Sequence, residues 1–219
     1  MTVRNRGALA ALAAGVAALT VAALLACAAQ PARTVGAAQA SALASAPPTA
    51  TASGDPSVPV TAGELPSSAE TIPPVRLLIP AIDVTATVDA VGINERTNEF
   101  EVPPSVDEIG WYRYGPGLEA DAGSVVVAGH VDSAEQGRGA FFRLRELDQG
   151  DTVTVTGSDG AARRYRVVAR EEYAKTKIPL DRYFARDGKP RLTLITCGGP
   201  FDAKARKYRD NIVVTAVPA

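Results

Sequence analysis

The chain has 219 residues and a formal net charge of −1, and its large side chains are unevenly spread: all six Tyr, all five Phe and the single Trp lie after position 73. An independent core is therefore expected only in residues 74–219, a length at which a domain buries roughly two-thirds of its unfolded surface. Within that stretch 20 basic residues face 21 acidic ones, a balance that argues against a nucleic-acid binder, which needs a basic surplus or stripe.

Arg4 and Arg6 precede an uncharged run from Gly7 to Ala29, 23 residues dominated by Ala, Leu and Val. The run is long enough for a membrane-spanning helix, and the arginines predict a cytoplasmic N-terminus. Residues 1–29 are read as a signal or membrane-anchor segment, with two other fates open. Small residues such as Ala26, Ala28 and Ala29 suit a signal peptidase. Leu24-Leu25-Ala26-Cys27 resembles a lipoprotein box in which Cys27 is lipidated, although Leu25 is uncommon at its place in that box. All three fates export the rest of the chain.

Residues 30–73 are mainly Ala, Ser, Thr, Pro and Gly, with few charges and no aromatic side chain. Such a composition buries too little apolar surface to offset the entropy of ordering, so a disordered spacer is predicted. No repeat of fixed period is present.

The remainder, 74–219, reads as a mainly β domain with short helices. Val75–Ile79 and Val84–Val88 are apolar, β-branched runs, and Phe100–Val102 is a shorter one. Ser124–Ala128 contains Val125-Val126-Val127, the pattern of a strand buried on both faces, and ends at Gly129-His130. Ala140–Leu147 predicts a short helix, with Phe141, Leu144 and Leu147 near one face. Thr152–Thr156 alternates strictly and is followed by Gly157-Ser158-Asp159-Gly160 and Arg164–Arg170, a predicted hairpin. Arg191–Thr196 and Asn211–Val217 complete roughly eight strands, enough for a closed or nearly closed barrel.

His130 is the single histidine, and Cys197 is the cysteine of the folded part. Cys27 lies in the apolar run across a long spacer, so Cys197 is expected as a free thiol. Both residues end predicted strands, where side chains emerge into loop-lined clefts. A thiol of ordinary acidity is mostly protonated at neutral pH, and an imidazole can take its proton and later protonate a leaving amine. A guanidinium suits the oxyanion of the tetrahedral intermediate, because it stays charged and presents several fixed donors. Arg209 opens the strand after Cys197 and returns towards the thiol if the two strands pair antiparallel. Its rival Arg206, beside Lys204 and Lys207, is read as a solvated loop charge. Taken singly, a buried inert cysteine, a structural histidine and a wet-face arginine are the commoner roles of these residue types.

Ala128-Gly129-His130, Thr193-Leu194-Ile195-Thr196-Cys197 and Tyr208-Arg209-Asp210-Asn211-Ile212-Val213-Val214 together resemble the signature set of the sortases, over about Val75 to Val217. Within that family the chain is most similar to the actinobacterial class F, through Gly129-His130-Val131-Asp132, Trp111-Tyr112 and the tail beginning at Tyr208. The resemblance implies an eight-stranded sortase-like β-barrel and a cysteine transpeptidase that cleaves surface proteins at a C-terminal LPXTG-like sorting signal. Cys197 is then the nucleophile, His130 the acid and base, and Arg209 the oxyanion or substrate-orienting group. The partners implied are the surface protein and a cell-wall precursor amine, on the extracytoplasmic face of a bacterial membrane. No cofactor or metal is implied; some sortases use calcium, but no acidic cluster here argues for it.

The loop after Cys197 is short and no long lid precedes the histidine strand, which favours housekeeping anchoring over pilin polymerisation. The terminus Val217-Pro218-Ala219 has no sorting pentapeptide with an apolar stretch and basic tail, so the chain is not expected to be a substrate of such an enzyme. Two alternatives stand beside this reading. An L,D-transpeptidase also pairs Cys with His, but resembles a Ser-His-Gly-Cys arrangement with a second histidine. A tethered β module binding a wall polymer or protein needs no reactive thiol.

Overall fold

The computed structural model describes residues 34–45, 71–96 and 99–219. The expected signal or anchor segment, 1–29, lies outside the described residues; among those described, no helix is long and apolar enough to cross a membrane.

Among the described residues twelve strands follow one another: β1 (Pro74–Ile79), β2 (Val84–Val91), β3 (Ile93–Asn94), β4 (Glu99–Phe100), β5 (Ile109–Tyr112), β6 (Ser124–Gly129), β7 (Asp132–Ser133), β8 (Gly137–Arg138), β9 (Thr152–Gly157), β10 (Ala162–Ala174), β11 (Arg191–Asp202) and β12 (Lys207–Pro218). Eight of them close into a barrel in the order β1-β2-β5-β6-β11-β12-β10-β9. Two contacts are parallel, β2 with β5 and β6 with β11; the other pairs run antiparallel. Closure pairs each barrel strand on both sides over most of its length, leaving an edge where β10 outruns β9, which is how a small β domain limits edge-to-edge association.

The two-residue period of a strand sorts side chains between the barrel interior and its outer face. Val84, Ala86 and Val88 of β2 and Val153 and Val155 of β9 point inward, with exposed or half-exposed residues between them. All six residues of β6 are buried, as expected for a strand covered on both faces. Its Val125 and Val127 join Leu192 and Leu194 of β11 in the core, with Ile212 and Val214 of β12.

Three local expectations are corrected. Phe100–Val102 does not enter the barrel; Glu99–Phe100 makes a small ladder with Ile93–Asn94. The barrel position is taken by Ile109–Tyr112, between β2 and β6. There Gly110 lets the backbone close up, since a Cβ would lie 2.7 Å from Val91 Cγ2.

Ala140–Leu147 is not an α-helix but a series of tight turns, with one 3₁₀ turn at Leu144–Glu146. The amides of Phe142, Leu144, Glu146 and Leu147 each bond the carbonyl three residues back. Phe141, Leu144 and Leu147 are all fully buried, and their spacing of three matches the three residues per turn of that geometry.

The spacer expectation also fails for residues 34–45. Beyond Arg166, the partner of Thr152, β10 has outrun β9, and Val35 occupies the exposed edge by exchanging backbone hydrogen bonds of 2.8 and 2.9 Å with Arg170. Gly36, at φ 72°, then turns the chain into helix α1 (Ala37–Ala44). A Cβ at Gly36 would stand 2.1 Å from Val168 O, so only glycine fits. Arg182 Nη1 donates to Ser41 Oγ at 3.0 Å, and Lys189 N donates to Leu43 O at 3.0 Å. Ala-rich composition, read as a mark of disorder, here serves close approach to the sheet.

Candidate functional site

The site lies where β6 ends against the middle of β11, which runs on to Asp202, so the expectation that Cys197 ends a strand is corrected: it sits within one, while His130 does follow the end of β6. Their parallel register pairs Ile195 with Ala128; two residues further on are Cys197, still within β11, and His130, just past the end of β6. By the two-residue period Cys197 shares the outward face of Thr193 and Ile195, opposite the core side chains Leu192 and Leu194. Across β12 and β10 the same level continues, Cys197 opposite Asn211 and Asn211 opposite Tyr173.

The residues flanking the pair account for the local motifs. Thr196 Oγ1 donates to Gly129 O at 2.8 Å, a buried bond tying the residue before the thiol in β11 to the end of β6 before the imidazole. Gly129 has no room for a side chain, because a Cβ would lie 2.8 Å from Ile109 Cγ2 and 2.9 Å from Phe141 Cδ2.

His130 is half-buried, and its Nε2 lies 2.9 Å from the carbonyl oxygen of Pro103. A carbonyl only accepts, so Nε2 carries the hydrogen and Nδ1 is the nitrogen left for proton exchange. Pro103, in the turn before β5, was not singled out by the sequence; a carbonyl acceptor leaves no side-chain signal. A cleft of about 810 Å3 lined by Asp89, Asn94, Glu99 and Glu101 also includes Pro103. It reaches the site through that proline and does not include the thiol.

Cys197 is a free, half-buried thiol. Its hydrogen-bond partner is Lys175 Nζ, 3.3 Å from Sγ. His130 and Cys197 thus lie on adjacent strands, two residues past the Ala128–Ile195 pair, and their hydrogen bonds go to Pro103 and Lys175 rather than to each other. Lys175 was missed because the expected strand stopped at Arg170, whereas β10 runs to Ala174 and delivers the lysine just beyond it.

Strands β11 and β12 do pair antiparallel, with Gly198 opposite Asp210. Arg209 therefore falls one residue past that pair, at the irregularity between Gly198 and Phe201. Its Nη2 is 3.2 Å from Asp202 Oδ2 and its side chain is 64% exposed. Asp202 is held below the usual carboxylate range by the Ala205 amide and by Arg209. Arg206 sits in the hairpin turn at φ 49° and is exposed.

Beside the site, Tyr208 Oη donates to Asp132 Oδ2 at 2.5 Å and packs edge-on against Phe201. That bond, with burial second, pushes the Tyr208 phenol up to about 12. Glu171, 2% exposed, accepts from Tyr173 Oη (2.6 Å), Arg182 Nη2 (2.6 Å) and Tyr183 Oη (2.7 Å). This buried cluster, in which Arg182 Nε alone is left without a hydrogen-bond partner, braces both ends of the segment carrying Lys175. No group of His, Cys, Asp and Glu among the described residues is arranged to hold a metal ion.

A half-buried thiol with a lysine ammonium at 3.3 Å, and an imidazole with one free nitrogen on the neighbouring strand, is an arrangement suited to acyl transfer. The family model for the sortase domain matches residues 77–219. The barrel is similar to that of sortase C-1 from Actinomyces oris (21% identity, TM-score 0.50), covering 66% of this chain and 72% of that one. It is likewise similar to a lid mutant of sortase A from Corynebacterium diphtheriae (20%, TM-score 0.51; 70% and 74% covered). A third similar structure is Streptococcus agalactiae sortase C1 in complex with MTSET (17%, TM-score 0.51; 67% and 69% covered). No curated protein matches the chain.

Proposed function

The chain belongs to the sortase family, and from the placement of its thiol and imidazole we propose that it is a cysteine transpeptidase acting on LPXTG-like sorting signals of surface proteins. The observation that supports this reading is the parallel register of β6 and β11, which puts Cys197 and His130 two residues past the same strand pair, clamped by the Thr196 bond to Gly129.

In this mechanism the Cys197 thiol gives its proton to His130 Nδ1 as Sγ attacks the carbonyl carbon of the signal's threonine, and the carbonyl electron pair moves onto oxygen. Collapse of the tetrahedral intermediate re-forms the carbonyl and breaks the C–N bond, with His130 protonating the leaving amine through Nδ1. A cell-wall precursor amine then attacks the thioacyl carbon, His130 takes its proton, and the sulfur is released. Arg209 contributes to oxyanion stabilisation once its guanidinium leaves Asp202, and its five donors suit that role better than a point charge does. An N-terminal anchor in residues 1–29 would keep the domain at the extracytoplasmic membrane surface, where both substrates meet.

The test is cleavage of a quenched LPXTG-type peptide by the full chain, with mass spectrometry of the acylated enzyme. Cleavage with acylation at Cys197, both lost in Cys197→Ala, is expected. No cleavage by the unaltered protein, or cleavage retained without the thiol, overturns the reading.

A further inference from the structure

Cys197 Sγ is in hydrogen-bond contact with a cation that the sequence motifs do not include: Lys175 Nζ, at 3.3 Å. The lysine is half-buried and opens a 3₁₀ turn, Lys175–Lys177, directly after β10. Two residues before it, Tyr173 is fixed by its hydroxyl bond to Glu171 and by its register opposite Asn211, which faces Cys197 on the other side. Seven and eight residues after it, Arg182 and Tyr183 are bonded to the same Glu171 carboxylate. The backbone carrying Lys175 is thus pinned on both sides, which separates it from a solvated lysine free to wander. The exposed guanidinium of Arg209, by contrast, is engaged by Asp202.

We propose that Lys175 is a further catalytic residue, whose ammonium is the counter-charge of the Cys197 sulfur. The proposal rests on the transpeptidase reading above for its chemistry, and on the Lys175–Cys197 contact for its geometry. As Sγ forms its bond to the acyl carbon, the carbonyl pair moves to oxygen, so negative charge passes from sulfur to an atom about two bonds away. An ammonium has three donors on a flexible four-carbon stem and can follow that movement. While protonated it has no lone pair, so it opposes charge without competing with the acceptor amine for the thioacyl carbon. Arg209 and Lys175 divide the electrostatic work: the lysine at the sulfur in the free enzyme, the arginine at the bound substrate.

The experiment compares alkylation of Cys197 in the full chain by iodoacetate, which is anionic, and iodoacetamide, which is neutral. Both are read by mass spectrometry on the peptide containing residue 197, so reaction at Cys27 does not interfere. A cation at the sulfur favours the anionic reagent, and the iodoacetate-to-iodoacetamide rate ratio should fall about fivefold in Lys175→Met. It should hold in Lys175→Arg, which keeps the charge, and in Lys177→Met, which removes an exposed neighbouring charge. Peptide cleavage by Lys175→Met should fall about tenfold or more and recover in part with arginine. An unchanged reagent ratio in Lys175→Met, or full cleavage by that variant, overturns the proposal. The alkylation needs no sorting peptide, so its outcome is separate from that of the transpeptidase reading.

Discussion

Thr196 donates its hydroxyl hydrogen to the carbonyl of Gly129 across 2.8 Å of buried space. The bond joins the residue before the thiol to the residue before the imidazole, so the spacing between the two reacting groups is held by a side chain that takes no part in the chemistry. In Thr196→Val the carbonyl of Gly129 loses this partner, at an expected cost of about 1–3 kcal/mol. Thermal unfolding should show the loss as a fall of several degrees, with turnover of the sorting peptide reduced more than KM is changed. Thr196→Ser, which keeps the hydroxyl, should retain most of both.

Gly129→Ala places a methyl against Ile109 and Phe141, both fully buried. Overpacking of this kind costs about 1–3 kcal/mol and displaces the strand end. Denaturant unfolding should give that loss together with a drop in activity, because His130 follows directly. A stability unchanged from the parent would show that β6 can shift without penalty.

Arg209→Ala should lower turnover by about a hundredfold, the scale of losing one oxyanion donor, and Arg206→Ala should leave it within twofold. Asp202→Asn weakens the restraint on Arg209, and turnover is expected to rise by up to about twofold, in keeping with the small worth of an exposed ion pair. Steady-state kinetics on the peptide decide each. A large loss at Arg206 and none at Arg209 would reassign the role.

The Tyr208 phenol is pushed up to about 12 by its hydrogen bond to Asp132. Because the folded value lies above the unfolded value of about 10, this contribution to stability is complete below pH 10 and is lost as pH rises from 10 to 12. Ultraviolet titration of the parent minus Tyr208→Phe should place the missing phenolate near 12. A difference centred near 10 would mean that the Asp132 bond is absent in solution.

Gly36→Ala cannot keep the turn at φ 72°, so the bridge between Val35 and Arg170 should open. Hydrogen exchange at the Arg170 and Lys189 amides, which bond Val35 O and Leu43 O, is expected to speed up about tenfold or more, with amides deep in β6 unaffected. Unchanged exchange would place those bonds outside the solution structure.

Much of the wall was legible because barrel strands announce themselves locally. Alternating Thr and Val in β9 and the unbroken Val run in β6 reflect one-sided and two-sided burial, and each can be read within a few residues. Where local signal was thin, the reading slipped. Ile109–Tyr112, interrupted by a glycine, is not among the strands read from the sequence, while Phe100–Val102 is; only closure of the barrel selects between them. Residues 34–45 were misread for a related reason, since composition measures what a segment can bury alone and is silent about an unfilled sheet edge elsewhere.

From the sequence alone came the mainly β domain of 74–219, its family resemblance, and the expectation that His130 follows a strand end, because strand period and short motifs are properties of neighbouring residues. The tertiary structure decided which groups touch: Lys175 at the sulfur, Pro103 at the imidazole, Asp202 at Arg209. Such pairings depend on barrel register and on where each strand ends, and register is set by closure of the whole sheet rather than by any stretch of the chain.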